Sequence, residues 1–287
     1  MLQLFADGMA IIHDILPRKT KFSRKVAGKK FDEQVMATNI DVIFIVQGLD
    51  NNFNPRRLER TLVMVNESGV KPVIILNKSD LCESTQDKVE QTKEILKDIP
   101  IIAVSAKENK GINELKSFLK EGETFAFIGS SGVGKSTLIN KLVGQDILKT
   151  QEVRSGDSKG RHTTARRELI VLADGGCLID TPGMRELQLW HADEGLSDTF
   201  SDIDDLAENC HFSDCSHTKE IKCAVLSAIE SGDLVQGRYD SYIKLQKELK
   251  FLASKNSKEG YVEHRKKDKR FGKMYKQIMK EKKNKKR

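Results

Sequence analysis

The chain has 287 residues, 38% of them hydrophobic and 32% charged, with a formal net charge of +7. No apolar run approaches the ~18–20 residues that a membrane helix needs, and the start from Met1 to Asp7 lacks the basic region of a secretory signal, so a cytoplasmic protein with no membrane partner is expected. The positive charge is concentrated: residues 265–287 hold thirteen Lys/Arg against Asp268 and Glu281, a net of +11 that leaves −4 on the other 264 and points to a phosphate-rich partner.

Residues 10–30 read as a short strand-like apolar piece running into a basic loop, too little for a domain. From Ile40 the pattern turns α/β. Strand-like runs at Ile40 to Val46, Val73 to Leu76, Ile101 to Val104 and Thr124 to Ile128 alternate with helix-compatible runs at Leu58 to Val65, Gln86 to Leu96 and Ile112 to Leu119. A helix through Leu138, Ile139 and Leu142 follows the last of these strands. Such alternation implies a mostly parallel sheet covered on both faces. Glu168 to Ala173 and Cys177 to Ile179 flank Asp174-Gly175-Gly176, a hairpin signal that adds one antiparallel pair. Past Trp190 the chain becomes acidic from Asp193 to Glu208 and carries a cysteine cluster. Helical runs at Ala224 to Glu230 and Tyr239 to Leu252 lead into the basic tail.

Four motifs fall at strand ends. Gly129-Ser130-Ser131-Gly132-Val133-Gly134-Lys135-Ser136, continued by Thr137, follows an apolar strand and opens a helix, the context that gives a phosphate-binding loop its meaning. Its glycines let backbone N–H groups curl around phosphates; Lys135 should reach the β- and γ-phosphates and Ser136 should ligate Mg²⁺. Asp180-Thr181-Pro182-Gly183 places an acid for the Mg²⁺ shell, through water, and the Gly183 amide for the γ-phosphate. Asn77-Lys78-Ser79-Asp80 offers a carboxylate to the N1–H and amine of guanine, and Ser105-Ala106-Lys107 matches a second base-contacting loop. The base-reading motifs precede the phosphate loop, the reverse of an ordinary GTPase, which points to a circularly permuted P-loop fold binding GTP and GDP.

The polar loop from Gly156 to Arg167 suits a first switch, with Thr163 or Thr164 reaching Mg²⁺. Met184 and Arg185 stand where a water-orienting glutamine is expected, so His162 is the candidate for that role. Cys210-x4-Cys215-x-His217-x5-Cys223 supplies three thiolates and an imidazole, the donor set of a structural tetrahedral Zn²⁺, with His211 an alternative imidazole.

These residues, with Leu16-Pro17-Arg18, Gly160-Arg161-His162-Thr163-Thr164 and Arg270-Phe271-Gly272-Lys273, resemble the ribosome small-subunit-dependent GTPase A family. The resemblance implies an N-terminal OB-fold, a permuted GTPase domain and a zinc domain, with GTP hydrolysis stimulated by the small ribosomal subunit whose rRNA it contacts. On this reading residues 1–35 are a remnant of the OB-fold holding about its last strand, 36–191 the GTPase domain, 192–264 the zinc-binding helical domain and 265–287 the basic tail, in a monomer. The competing expectation is an RNA-binding zinc protein that uses guanine nucleotide as a regulatory ligand with little turnover. A lever is also expected, because the chain runs from Asp180 to Gly183 through Trp190 directly into the zinc domain.

Overall fold

The computed structural model describes residues 2–4, 10–26, 33–50, 52–96, 98–148, 168–173, 175–180, 189 and 192–256. Two short antiparallel pairs come first, β1 (Leu2–Leu4) with β2 (Ala10–Ile12) and β3 (Lys21–Lys25) with β4 (Glu33–Thr38). The segment before Ile40 thus carries more strand than its sequence pattern announces. In β3 the basic residues hide a pleat that buries Phe22 completely, and Met36 on β4 is buried beside it. Because β4 runs to Thr38, the expected boundary at residue 36 falls inside this hairpin.

The main sheet holds β5 (Val42–Gly48), β6 (Lys71–Asn77), β7 (Ile101–Ala103), β8 (Thr124–Ile128), β9 (Glu168–Val171) and β10 (Cys177–Asp180). Their spatial order is β7-β6-β5-β8-β10-β9, parallel except for β9 against β10. Every residue of β5 is buried, as a central parallel strand covered on both faces requires. Its alternate residues feed two cores: Ile43 and Ile45 face one, while Val42, Phe44 and Val46 face the other.

The second core is closed by α3 (Ile112–Lys116) and α4 (Lys135–Val143) through Ile112, Leu115, Leu138 and Ile139. The helix expected to reach Leu119 stops at Lys116, where Phe118 and Leu119 donate three residues back to Leu115 and Lys116 and tighten the last turn. Both side chains still pack against the core.

The first core is larger. It is built around α1 (Pro55–Glu67), capped by Asn54, whose side chain accepts from Arg57 N at 3.2 Å, and started by Pro55. α2 (Thr85–Ile95) adds Val89. Beyond α1 lie α5 (Asp193–Thr199), α6 (Ser201–Ala207), α7 (Ala224–Ser231) and α8 (Gln236–Asn256). One continuous apolar cluster runs from Ile45 through Leu58 and Leu62 to Phe200, Ile203, Val225 and Leu245. α5 meets α1 so closely that a Cβ on Gly195 would lie 2.1 Å from the Val63 carbonyl oxygen, and Gly195 N donates to Glu67 at 2.9 Å.

A polar cluster closes this joint. Arg238 of α8 donates twice to Asp202, at 2.6 and 2.7 Å, and to the carbonyls of Ile95 and Thr199. Its guanidinium lies 4.7 Å from the centre of the Phe200 ring and 3.3 Å from the buried Glu59. Burial pushes the Glu59 carboxyl above its ordinary range even with Arg238 beside it. Among the described residues, no helix is long and apolar enough to cross a membrane.

Candidate nucleotide site and metal centre

All the parallel strands end on one edge, and the chain reverses its winding between β5 and β8, the place where open α/β sheets bind ligands. β8 leads into the loop Gly129 to Gly134, and α4 begins at Lys135. Gly129, Gly132 and Gly134 have φ of 149°, 78° and 94°, values that curl the loop and suit only glycine. A Cβ at Gly134 would sit 2.3 Å from Asn77 Nδ2, and one at Gly129 would sit 2.3 Å from the Val46 carbonyl oxygen. This glycine cradle at the head of a helix fits a string of phosphates. Lys135 Nζ folds across it to the carbonyls of Gly129 and Ser130, both at 2.7 Å.

Asn77, at the end of β6, is buried and joins three loops. Its Nδ2 donates to the Val133 carbonyl at 2.8 Å, and its Oδ1 accepts from Ala106 N at 3.1 Å. Lys78 adopts a left-handed φ of 67°, turning the chain into a short 3-10 turn, Ser79–Leu81, that presents Asp80. Ser105 Oγ donates to Asp80 Oδ1 at 2.6 Å and accepts from Glu108 N, so the second loop holds the carboxylate of the first. Asp180 closes β10 on the same edge, beyond the phosphate loop strand.

Between α6 and α7, the ligand atoms of Cys210, Cys215, His217 and Cys223 all lie within 4.8 Å of one another. Metal–sulfur bonds of about 2.3 Å and metal–nitrogen bonds of about 2.0–2.1 Å in a tetrahedron set S···S edges near 3.8 Å and S···N edges near 3.5 Å. The Cys210–Cys223 sulfurs are 3.8 Å apart, and His217 Nδ1 is 3.5 and 3.4 Å from them. The residues fit a tetrahedral zinc with His217 ligating through Nδ1, while His211 instead stacks edge-on against Phe212. Although desolvation opposes it, backbone N–H groups of Ala224 and Val225 aimed at Cys210 hold its thiol below the usual cysteine range. Tyr239 of α8 donates to the His217 carbonyl at 2.5 Å and ties the metal loop to the helix behind it.

The family model for the RsgA GTPase matches residues 15–190 of this sequence, more than half the chain. The chain belongs to the RsgA GTPase family. A "Small ribosomal subunit biogenesis GTPase RsgA 2" of Lactiplantibacillus plantarum is 48% identical over 246 residues, covering 86% of this chain and 69% of its own length. A relative of Leptospira interrogans, named without the number, is 41% identical over 282 residues, with coverages of 98% and 79%. Among solved structures, YjeQ from Thermotoga maritima superposes with a TM-score of 0.61 at 28% identity, covering 85% of this chain and 80% of the other. YloQ, described as a circularly permuted GTPase, gives 0.61 at 27% identity, covering 87% and 78%. The inverted order of motifs in this RsgA-family chain accords with the circular permutation described for YloQ.

Of the residues expected at the site, Asn77, Lys78, Ser79, Asp80, Ser105, Ala106, Lys107, Gly129 to Thr137 and Asp180 gather along the one sheet edge. His162, Thr163, Thr164 and Gly183 lie outside the described residues, as do the tail and residues 181–188 and 190–191, on which the lever rests. Three residues that no motif named also line this edge. Lys78 Nζ pairs with Asp50 at 2.6 Å, Gln47 Nε2 donates to the Asn52 carbonyl, and Arg57 reaches Ser130. The signal that could have revealed them is positional: Gln47 lies at the end of β5, the partner strand across the switch point, and Asp50 and Arg57 follow it.

Proposed function

We propose that this chain hydrolyses GTP to GDP and phosphate and uses the cycle in maturation of the small ribosomal subunit. The observation that carries this is Asn77, which locks the guanine-reading turn, the phosphate loop and the Ser105 loop into one frame. In that frame Asp80, held by Ser105, accepts from the N1–H and exocyclic amine of guanine, with Ser79 shaping the turn and Lys78 and Ala106-Lys107 flanking the base. The amides of Gly129 to Thr137 bind the phosphates, and Lys135 turns from the loop carbonyls to the β- and γ-phosphates. Ser136, Asp180 through water, and Thr163 or Thr164 would hold Mg²⁺, which when bound draws charge from the phosphate oxygens. His162 orients the attacking water, and the Gly183 amide reads the γ-phosphate.

Zn²⁺ on Cys210, Cys215, His217 and Cys223 is structural, since four protein ligands leave no open position. The names of the relatives point to the partner, and the net charge of +11 on residues 265–287 supports an rRNA contact of steep salt dependence. Phosphate release is measured for the chain alone, with purified small subunits and with large subunits. Stimulation by small subunits alone is expected; GTP binding without stimulated release would favour the regulatory-ligand reading, which Met184 and Arg185 in place of a glutamine support. Comparing His162→Ala with the parent in the presence of subunits tests the water-orienting role, and unchanged turnover at normal GTP affinity would refute it.

A further inference from the structure

Arg57 stands in the first turn of α1 with its side chain exposed at the rim of the phosphate loop. One guanidinium nitrogen donates to Ser130 Oγ at 3.3 Å and to Asn52 Oδ1 at 3.2 Å. Both partners are neutral. Arg56, beside it in this turn, and Arg60, in the next turn, meet acids instead, Asp240 and Glu248. Among the described residues no carboxylate pairs with Arg57, so its charge is uncompensated beside a loop shaped for polyanions. Its backbone is fixed as well, because α1 is capped at Asn54, started by Pro55 and buried along two sides. A rigidly mounted cation costs little reorganisation when charge develops nearby.

We propose that Arg57 is a catalytic arginine supplied in cis, which leaves Ser130 and donates to the phosphate oxygens of bound GTP. This rests on the hydrolase reading given above. Water oxygen forms the new bond to the γ-phosphorus while the bond from that phosphorus to the β–γ bridging oxygen breaks, giving GDP and inorganic phosphate. Arg57 moves no proton; it stabilises the negative charge that shifts onto the bridging and γ-oxygens as the old bond lengthens.

The test compares the full chain with Arg57→Ala, Arg57→Lys and, as a control on the same turn, Arg56→Ala. Turnover at saturating GTP, GDP affinity and affinity for GDP with aluminium fluoride, which mimics the transition state, are measured for each. Arg57→Ala should lower kcat by about a hundredfold and remove the fluoride-dependent tightening while GDP affinity stays unchanged. Arg57→Lys should recover part of the loss, and Arg56→Ala should match the parent. Parental kcat in Arg57→Ala overturns the inference, and so does a fall in GDP affinity in step with kcat, which would mark a brace for Ser130. A parent chain that releases no phosphate, with or without small subunits, overturns the hydrolase reading and the inference with it.

Discussion

Asn77 shows how much a single side chain can organise. It is 2% exposed, and its amide satisfies the Val133 carbonyl and the Ala106 N–H at once. Asn77→Ala leaves both unpaired in a dry site, at about 1–3 kcal/mol for each group. Urea unfolding should shift by that order and GDP affinity should drop, whereas an unchanged midpoint would show that solvent reaches these groups. Asp80 works differently, through the sign of its hydrogen bonds. With Ser105 Oγ at 2.6 Å on one oxygen, the carboxylate is aimed rather than free to rotate. Asp80→Asn replaces an acceptor with a donor, so guanine is rejected and xanthine, which offers a carbonyl at that position, is accepted. A loss on the order of 10²-fold or more in GDP affinity with a gain for XDP is expected in a fluorescence titration; equal losses for both would refute the base-reading role.

At the scale of the element, α1 is the member that links the nucleotide edge to the C-terminal helices. Its first turn touches the phosphate loop, its middle pairs with α8 and its end receives α5. Arg60 holds Glu248 through two bonds of 2.6 and 2.7 Å. This donation, ahead of the opposing desolvation, keeps the Glu248 carboxyl below its ordinary value of 4.5. A depressed folded-state value means the contribution is present above pH 4.5 and is lost as pH falls through the lower folded value. The pair is about a third exposed, which discounts it to about 1 kcal/mol. The stability gap between the parent and Glu248→Gln should therefore narrow below pH 4.5 in thermal unfolding, and a constant gap would show no net pairing. None of this was legible in the sequence, because Arg60 and Glu248 are 188 residues apart and carry no motif. The strands of the sheet were legible, since β-branched runs such as Val73 to Leu76 mark elements buried on both sides. The motif loops were legible because glycine and turn chemistry is local. β3 was not, because one buried Phe22 among Lys and Arg gives no alternation to read. Nor were Asp50 and Arg57, whose meaning depends on which strand lies beside β8.

Across the whole molecule, the expected link between nucleotide and zinc domain ran through the segment after Asp180, but the described residues supply another through α1. Cys223 is 3% exposed and lies in the same apolar cluster as Leu58, Leu62 and Val63 of α1 and Leu245 and Leu249 of α8. The metal loop from Cys210 to Cys223 has few buried apolar residues of its own, so a tetrahedral ion would supply the folding energy that its side chains lack. Without the ion, the thiolates and the imidazole repel or must protonate, and Tyr239 loses the fixed His217 carbonyl that anchors α8. That disturbance enters the core at Cys223 and, through the shared cluster, reaches α1. Chelating the metal should thus lower the unfolding temperature of the whole chain in one transition, raise amide exchange in α1 as well as in the metal loop, and weaken GDP binding. Two separate transitions, or faster exchange confined to residues 210–223, would show instead that the metal domain is an independent appendage and that nothing of its state passes through α1 to the nucleotide.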